Sequence, residues 1–147
     1  MTIEIRDARP SDWPAWYRMW SGYCAFYKVT AHETDARGLW HRLLDPTHPM
    51  SALLSVGESG SLGFAHYVLR PHSFSDSMLC YLEDLWAEPD ARGAGIGRGL
   101  IEALVARGRE RGWRRIYWHT ETDNAPARAL YDRIAQLTQY VRYDIAL

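Results

Sequence analysis

Apolar and polar residues alternate at the start of the chain, where Ile3 and Ile5 interleave with Glu4 and Arg6, and this predicts a short half-buried strand. Pro10-Ser11-Asp12 supplies a helix start, and Trp16, Met19, Trp20, Tyr23 and Tyr27 then recur at helical spacing, predicting a helix from about Trp13 to Tyr27. A second helix is expected from Thr34 to Leu44 and is stopped by Asp45-Pro46, because the residue before a proline avoids the helical region. Two strands follow, Ala52 to Val56 and Leu62 to Leu69, joined by the turn-rich Gly57-Glu58-Ser59-Gly60-Ser61. After a loop from Pro71 to Asp76, Met78 to Ala87 reads as a long buried strand.

The second half opens on the clearest helix, Gly95 to Arg111. Ile96, Leu100, Ile101, Leu104 and Val105 form its apolar face, and Gly112 is placed to cap it. Ile116 to His119 is a strand, Ala125 to Leu137 a helix with Pro126 in its first turn, and Tyr140 to Ala146 a closing strand. The order β-α-α-β-β-β-α-β-α-β describes a mixed α/β fold built on one sheet, with residues 1–147 as one domain.

Composition narrows the picture. The chain is 47% apolar and 24% charged over 147 residues, enough to bury a core without metal or disulfide staples. A net charge of -1 argues against a general grip on nucleic acid. Cys24 and Cys80 give neither metal spacing nor a disulfide framework, and the six histidines show no ligand spacing, so no metal is expected. The first residues lack the basic and apolar regions of a signal peptide, and no apolar stretch is long enough to span a bilayer. The expectation is a cytoplasmic protein without a membrane partner. Seven Trp and nine Tyr are a heavy aromatic load, fitting a packed core, a pocket or a subunit interface.

Chemistry concentrates in Tyr81–Leu100, where a buried strand runs into a glycine-rich loop and then a helix. Glycines let successive N–H groups turn inward, and the free N–H groups of a helix start add positive partial charge, so Arg92, Gly93, Ala94, Gly95, Ile96, Gly97 and Arg98 form a seat for a phosphate or pyrophosphate. A Walker loop is excluded because no Gly-Lys-Ser/Thr follows. A dinucleotide fingerprint counted from Gly93 would need its third glycine at Arg98.

What remains is Arg-x-x-Gly-x-Gly at Arg92, Gly95 and Gly97, following a strand that ends near Pro89. It resembles the pyrophosphate-binding motif of the GNAT (Gcn5-related) N-acetyltransferases. Ile116 to Asp132, with its Asn124-x-x-Ala127 turn and Leu130-Tyr131 helix, resembles the next strand, turn and helix of that family. The stretches around Tyr81–Leu85 and Tyr117–Thr120, and Tyr23-x-x-Phe26-Tyr27, look closest to the spermidine/spermine and histone/polyamine acetyltransferase branch.

The resemblance implies acetyl transfer from acetyl-CoA to a primary amine of a polyamine, an amino acid or a basic protein. It gives Glu83 the role of base and Tyr131 that of acid at the leaving sulfur. It assigns Leu85, Trp86 and Ala87 as backbone partners of the pantetheine arm where the strand splays open, with Asn124 beside that arm. By pattern alone Tyr131 is a core tyrosine. Asp84 is a rival base, a substrate contact, or a plain salt bridge or helix cap. Strict alternation would put Tyr81, Glu83 and Leu85 on one face, and Leu82, Asp84 and Trp86 on the other. Trp20, Tyr23, Tyr27, Trp40, Asp76 and Glu83 are candidates for the acceptor pocket, with aromatic faces suited to a cationic amine. The Arg107–Arg115 cluster is a solvated helix end with a partial role for the coenzyme's 3′-phosphate. A homodimer is expected. A non-catalytic acyl-CoA-binding module and an N-terminal protein acetyltransferase are the competing readings.

Overall fold

The computed structural model describes residues 2–147. Five strands make one sheet in the order β1-β2-β3-β4-β5: β1 (Glu4–Asp7), β2 (Met50–Gly57), β3 (Gly60–His72), β4 (Ser75–Ala87) and β5 (Arg115–Tyr117). The first four are antiparallel neighbours and β5 runs parallel to β4, so the sheet is mixed. The helices are α1 (Trp13–Phe26), α2 (Glu33–Leu44), α3 (Ile96–Arg111) and α4 (Ala125–Ile134).

Alternation along the strands builds two cores. Ala52, Leu54 and Phe64 face α1 and α2 and pack on Trp16, Met19, Leu39 and Trp40. Leu53, Ala65 and Tyr67 face α3 and α4 and pack on Ile96, Leu100 and Leu104. Helices therefore cover both faces. Much of the aromatic load is spent on the first core, where Trp16, Trp20 and Tyr23 stack in series along α1 and Trp40 closes on Trp16 at 4.8 Å. α1 starts on an acidic anchor: the Arg6 guanidinium makes a two-pronged bond to Asp12, whose carboxylate also accepts from the Arg9 N–H at 2.7 Å.

Three expectations change. The loop expected at Pro71 to Asp76 is a tight hairpin, since β3 runs to His72 and β4 begins at Ser75; paired backbone outweighs the turn-prone composition. Strict alternation along β4 fails, because His66 pairs with Asp84 and Tyr67 with Leu82, leaving Glu83 as the extra residue of a bulge. Leu82 and Leu85 consequently pack in the same core, while Trp86 lies in the other. The closing strand Tyr140 to Ala146 is not formed: the chain beyond α4 has no regular secondary structure, is exposed and is bonded to no strand. A strand needs a ladder partner as well as an alternating pattern, and none meets this segment.

Candidate active site

β3 stays paired with β4 as far as Ala87, whereas β5 leaves β4 after the Tyr81–Tyr117 pair. From Leu82 onward the outer backbone edge of β4 is free of a strand neighbour. A cleft of about 320 Å³ occupies the gap, walled by β4, by the C-terminal turn of α1, and by the N-terminal part of α4. A bulge beside such a gap turns its extra residue out of the ladder. Glu83 is that residue, and it lines the cleft together with Tyr131.

Burial beside Asp84 raises the Glu83 carboxyl above the usual carboxylate range, and the Arg142 guanidinium opposes that shift. Tyr131 sits in the second half of the cleft-facing helix, edge-on to Trp118 at 5.2 Å, and burial raises its phenol. Asn124 caps α4, accepting the Ala127 N–H at 3.4 Å, which fixes where α4 begins at the cleft.

The glycine loop forms as expected. Gly93 and Gly95 hold φ of 88° and 78°, and a Cβ built on either would meet nothing within 4 Å, so the loop backbone stands open. The first bond of α3 runs from the Gly99 N–H to the Gly95 carbonyl. The N–H groups of Ile96, Gly97 and Arg98 have no partner earlier in the helix. Open space and free donors at a helix start fit a phosphorylated coenzyme. Arg92 folds back, donating to the Ala87 carbonyl and lying 4.9 Å from the Trp86 ring centroid, so it braces the strand end from inside the cleft. The Arg98 side chain is engaged with Glu102 at 2.8 Å, and its contribution to the loop is its backbone.

Of the residues singled out from the sequence, Glu83, Leu85, Trp86, Ala87, Arg92, Asn124, Tyr131, Tyr23 and Tyr27 come together around the cleft. Trp20 and Trp40 belong to the first core, and Asp76 lies on the exposed hairpin. Arg107 is engaged by Asp7 at 2.7 Å and by the Tyr67 hydroxyl at 2.8 Å. Asp84 is engaged by two protein side chains. It accepts from the Tyr23 hydroxyl at 2.6 Å and from His66 Nδ1 at 2.9 Å, behind the cleft wall.

His66 and Trp16 complete that network and were missed as site support. The only sequence signal is a histidine inside the apolar run Phe64-Ala65-His66-Tyr67. Phe26, Trp118 and Thr120 also line the cleft; they lie within the Tyr23–Tyr27 and Tyr117–Thr120 stretches singled out in the sequence, without a role of their own there. Among the described residues no cluster of side chains fits a metal ion, and no helix is long and apolar enough to cross a membrane.

Comparison with known proteins places this architecture. The model of the acetyltransferase (GNAT) family matches residues 7–135. The D-amino-acid N-acetyltransferase of Saccharomyces cerevisiae is 34% identical over 143 residues, covering 96% of this chain and 89% of that protein. The aminoglycoside N(6′)-acetyltransferase type 1 of Stenotrophomonas maltophilia is 26% identical, covering 86% of this chain and 81% of that one. Among solved structures, the ribosomal-protein-alanine N-acetyltransferase of Brucella melitensis biovar Abortus 2308 shares the fold with a TM-score of 0.84 at 21% identity, over 100% of both chains.

Proposed function

The chain belongs to the acetyltransferase (GNAT) family, and from that premise we propose how its residues divide the work of acetyl transfer to an amine. It is an N-acetyltransferase; its family uses acetyl-CoA, a thioester that supplies the activated acetyl group. The observation that carries the assignment of roles is that Glu83 and Tyr131 line one cleft at the point where β4 and β5 part.

An aliphatic ammonium has a pKa near ~10.4 and attacks only once deprotonated. Glu83 takes that proton, directly or through a water, and its raised pKa brings it closer to the amine it serves. The free edge of β4 at Leu85, Trp86 and Ala87 offers backbone groups to the pantetheine arm, in the manner of an added strand. Backbone N–H groups there also polarise the thioester carbonyl. Asn124 flanks the same arm. The backbone from Gly93 to Arg98, with Arg92 bracing it, seats the pyrophosphate. Tyr131 keeps its proton at neutral pH and gives it to the departing sulfur.

We assign the acceptor to the amino-acid class. The support is the near full-length likeness to a D-amino-acid N-acetyltransferase and a cleft sized for a small molecule. Tyr27 and Tyr23 wall the acceptor side, with Asp84 holding Tyr23. The likeness of the Tyr23–Tyr27 and Tyr81–Leu85 stretches to the polyamine branch makes spermidine the second acceptor to try. A single cytoplasmic domain acting as a homodimer belongs to the same reading; both cysteines are free and buried, as suits a reducing compartment.

The test is release of free coenzyme A thiol from acetyl-CoA with D- and L-amino acids, spermidine, an aminoglycoside and a lysine-rich peptide. Turnover confined to amino acids is expected. Turnover with spermidine alone would move the acceptor to the polyamine class. Binding of acetyl-CoA without turnover on any amine would remove the roles given to Glu83 and Tyr131.

A further inference from the structure

β4 carries two adjacent carboxylates, Glu83 and Asp84, and its bulge holds one of them out of the ladder. Two placements of the extra residue keep every apolar partner. In both, Leu82 stays opposite Tyr67, Leu85 opposite Ala65 and Trp86 opposite Phe64. They differ in which carboxylate faces His66 and which is turned out beside the cleft. The hydrophobic pattern is therefore indifferent to the choice, and a polar contact has to make it.

The slot opposite His66 fits the shorter acid. Asp84 Oδ2 lies 2.9 Å from His66 Nδ1, and Oδ1 accepts from the Tyr23 hydroxyl at 2.6 Å, so one carboxylate is met by donors from β3 and α1 at once. The donor on β3 is fixed from behind. The Trp16 indole N–H donates to His66 Nε2 at 2.9 Å, which leaves the ring proton on Nδ1, pointing at β4. The His66 side chain is fully buried and that of Asp84 is 12% exposed. A glutamate in this slot would carry its carboxylate one methylene deeper, where Phe64 stacks on the His66 ring at 4.4 Å and Trp20 lies at 5.4 Å. Close-packed surroundings of this kind resist an added methylene. The cleft sets no such limit, since Glu83 opens onto about 320 Å³ of space.

We propose that His66, held by Trp16, sorts the two carboxylates: it takes Asp84 into the wall and so turns Glu83 into the cleft. His66 is thus a positioning residue, which acts on the reacting groups through β4 alone. The sorting follows from register and packing. Its consequence for turnover rests on the reading of Glu83 as the base.

Nuclear Overhauser contacts between β3 and β4 read the register without turnover. The double variant E83D/D84E keeps both acids and exchanges their lengths, and residue 66 is expected to pair with residue 83 in place of 84. Pairing of 66 with 84 in that variant would overturn the proposal. Two single variants divide the two bonds of the histidine. In H66N the amide nitrogen falls where Nδ1 was and keeps the bond to Asp84; in H66Q the amide oxygen falls where Nε2 was and keeps the bond to Trp16. H66N is expected to hold the 66–84 register, with kcat/KM within about threefold of the parent. H66Q is expected to mix the two registers and to lose about tenfold or more in kcat/KM, as for a misplaced reacting group, with acetyl-CoA affinity changed less than threefold. A single 66–84 register in H66Q would overturn the proposal whatever its turnover. Mixed registers with unchanged kcat/KM would support the sorting and take Glu83 out of the role of base.

Discussion

His66 Nδ1 lies 2.9 Å from Asp84 Oδ2, on the neighbouring strand and across the register step that creates the Glu83 bulge. His66 is fully buried, and its Nε2 accepts from the Trp16 indole N–H at 2.9 Å, so the ring's one remaining proton sits on Nδ1 and is donated to Asp84. Asp84 in turn accepts from Tyr23, whose ring lines the cleft. A chain of hydrogen bonds thus runs from the core of α1 through β3 and β4 to the wall of the site. Burial and the Asp84 charge push the Tyr23 phenol far up, keeping it a donor to Asp84.

Replacing His66 by Leu keeps the volume and removes the link. Both the Trp16 N–H and an Asp84 oxygen then lose their partner inside the core, at about 1–3 kcal/mol for each orphaned group. We expect His66→Leu to be destabilised by about 2–6 kcal/mol in chemical unfolding. A change below about 0.5 kcal/mol would mean the network contributes nothing to the fold.

Tyr131→Phe deletes one hydroxyl on the cleft side of α4. A general acid contributes about 10²–10⁴-fold to rate. The expected outcome is a fall in kcat of that order, with acetyl-CoA affinity, read by calorimetry, changed less than threefold. Unchanged kcat would take Tyr131 out of the mechanism.

Glu83 is active when ionised, and burial raises its pKa above the ordinary 4.5. The rate kcat/KM should therefore fall on acidification at a pH above 4.5, where ordinary glutamates are still ionised. Glu83→Gln should lower kcat/KM by about 10²–10⁴-fold and abolish that acidic limb. The sign for stability is the reverse of a salt-bridged acid: ionised Glu83 costs folding energy, so Glu83→Gln is expected to be as stable as the parent or more so at pH 7.

The Arg6–Asp12 pair carries the opposite sign. Its hydrogen bonds hold the Asp12 carboxyl below its ordinary 3.8. Its stabilisation is complete above 3.8 and is lost as pH falls through the lower folded value. Asp12→Asn should lose about 1.5–3 kcal/mol at pH 7, as for hydrogen bonds to charged groups. The gap to the parent should close as both are taken well below pH 3.8 in urea unfolding. A gap that is constant with pH would show that the Asp12 charge is not what stabilises the start of α1.

Gly95 holds the turn into α3 with a φ of 78°, where a side chain costs about 1–2 kcal/mol although nothing lies in its way. Gly95→Ala should fold with that penalty and bind acetyl-CoA at least tenfold more weakly, because the loop backbone must shift to relieve the strain. Equal affinity would place the pyrophosphate elsewhere.

Much of this was legible along the chain. Periodicity located α1 through α4 and β1 through β5 to within a few residues, because one buried face per element leaves its period in the sequence. The glycine spacing at Arg92–Gly97 gave the loop, since few other residues tolerate its backbone. α4 ends at Ile134, three residues before the apolar pattern does. Leu137 continues the period but finds nothing to pack on.

What tertiary structure alone decided is where two strands disagree in length. The extra residue in β4 turns Glu83 toward the cleft and leaves Asp84 facing His66. No pattern within β4 marks that choice, because a bulge is settled by the register of the neighbouring strand. The same holds for the segment from Tyr140 to Ala146. Its alternation is written in the sequence, but a strand exists only once another edge supplies its hydrogen bonds.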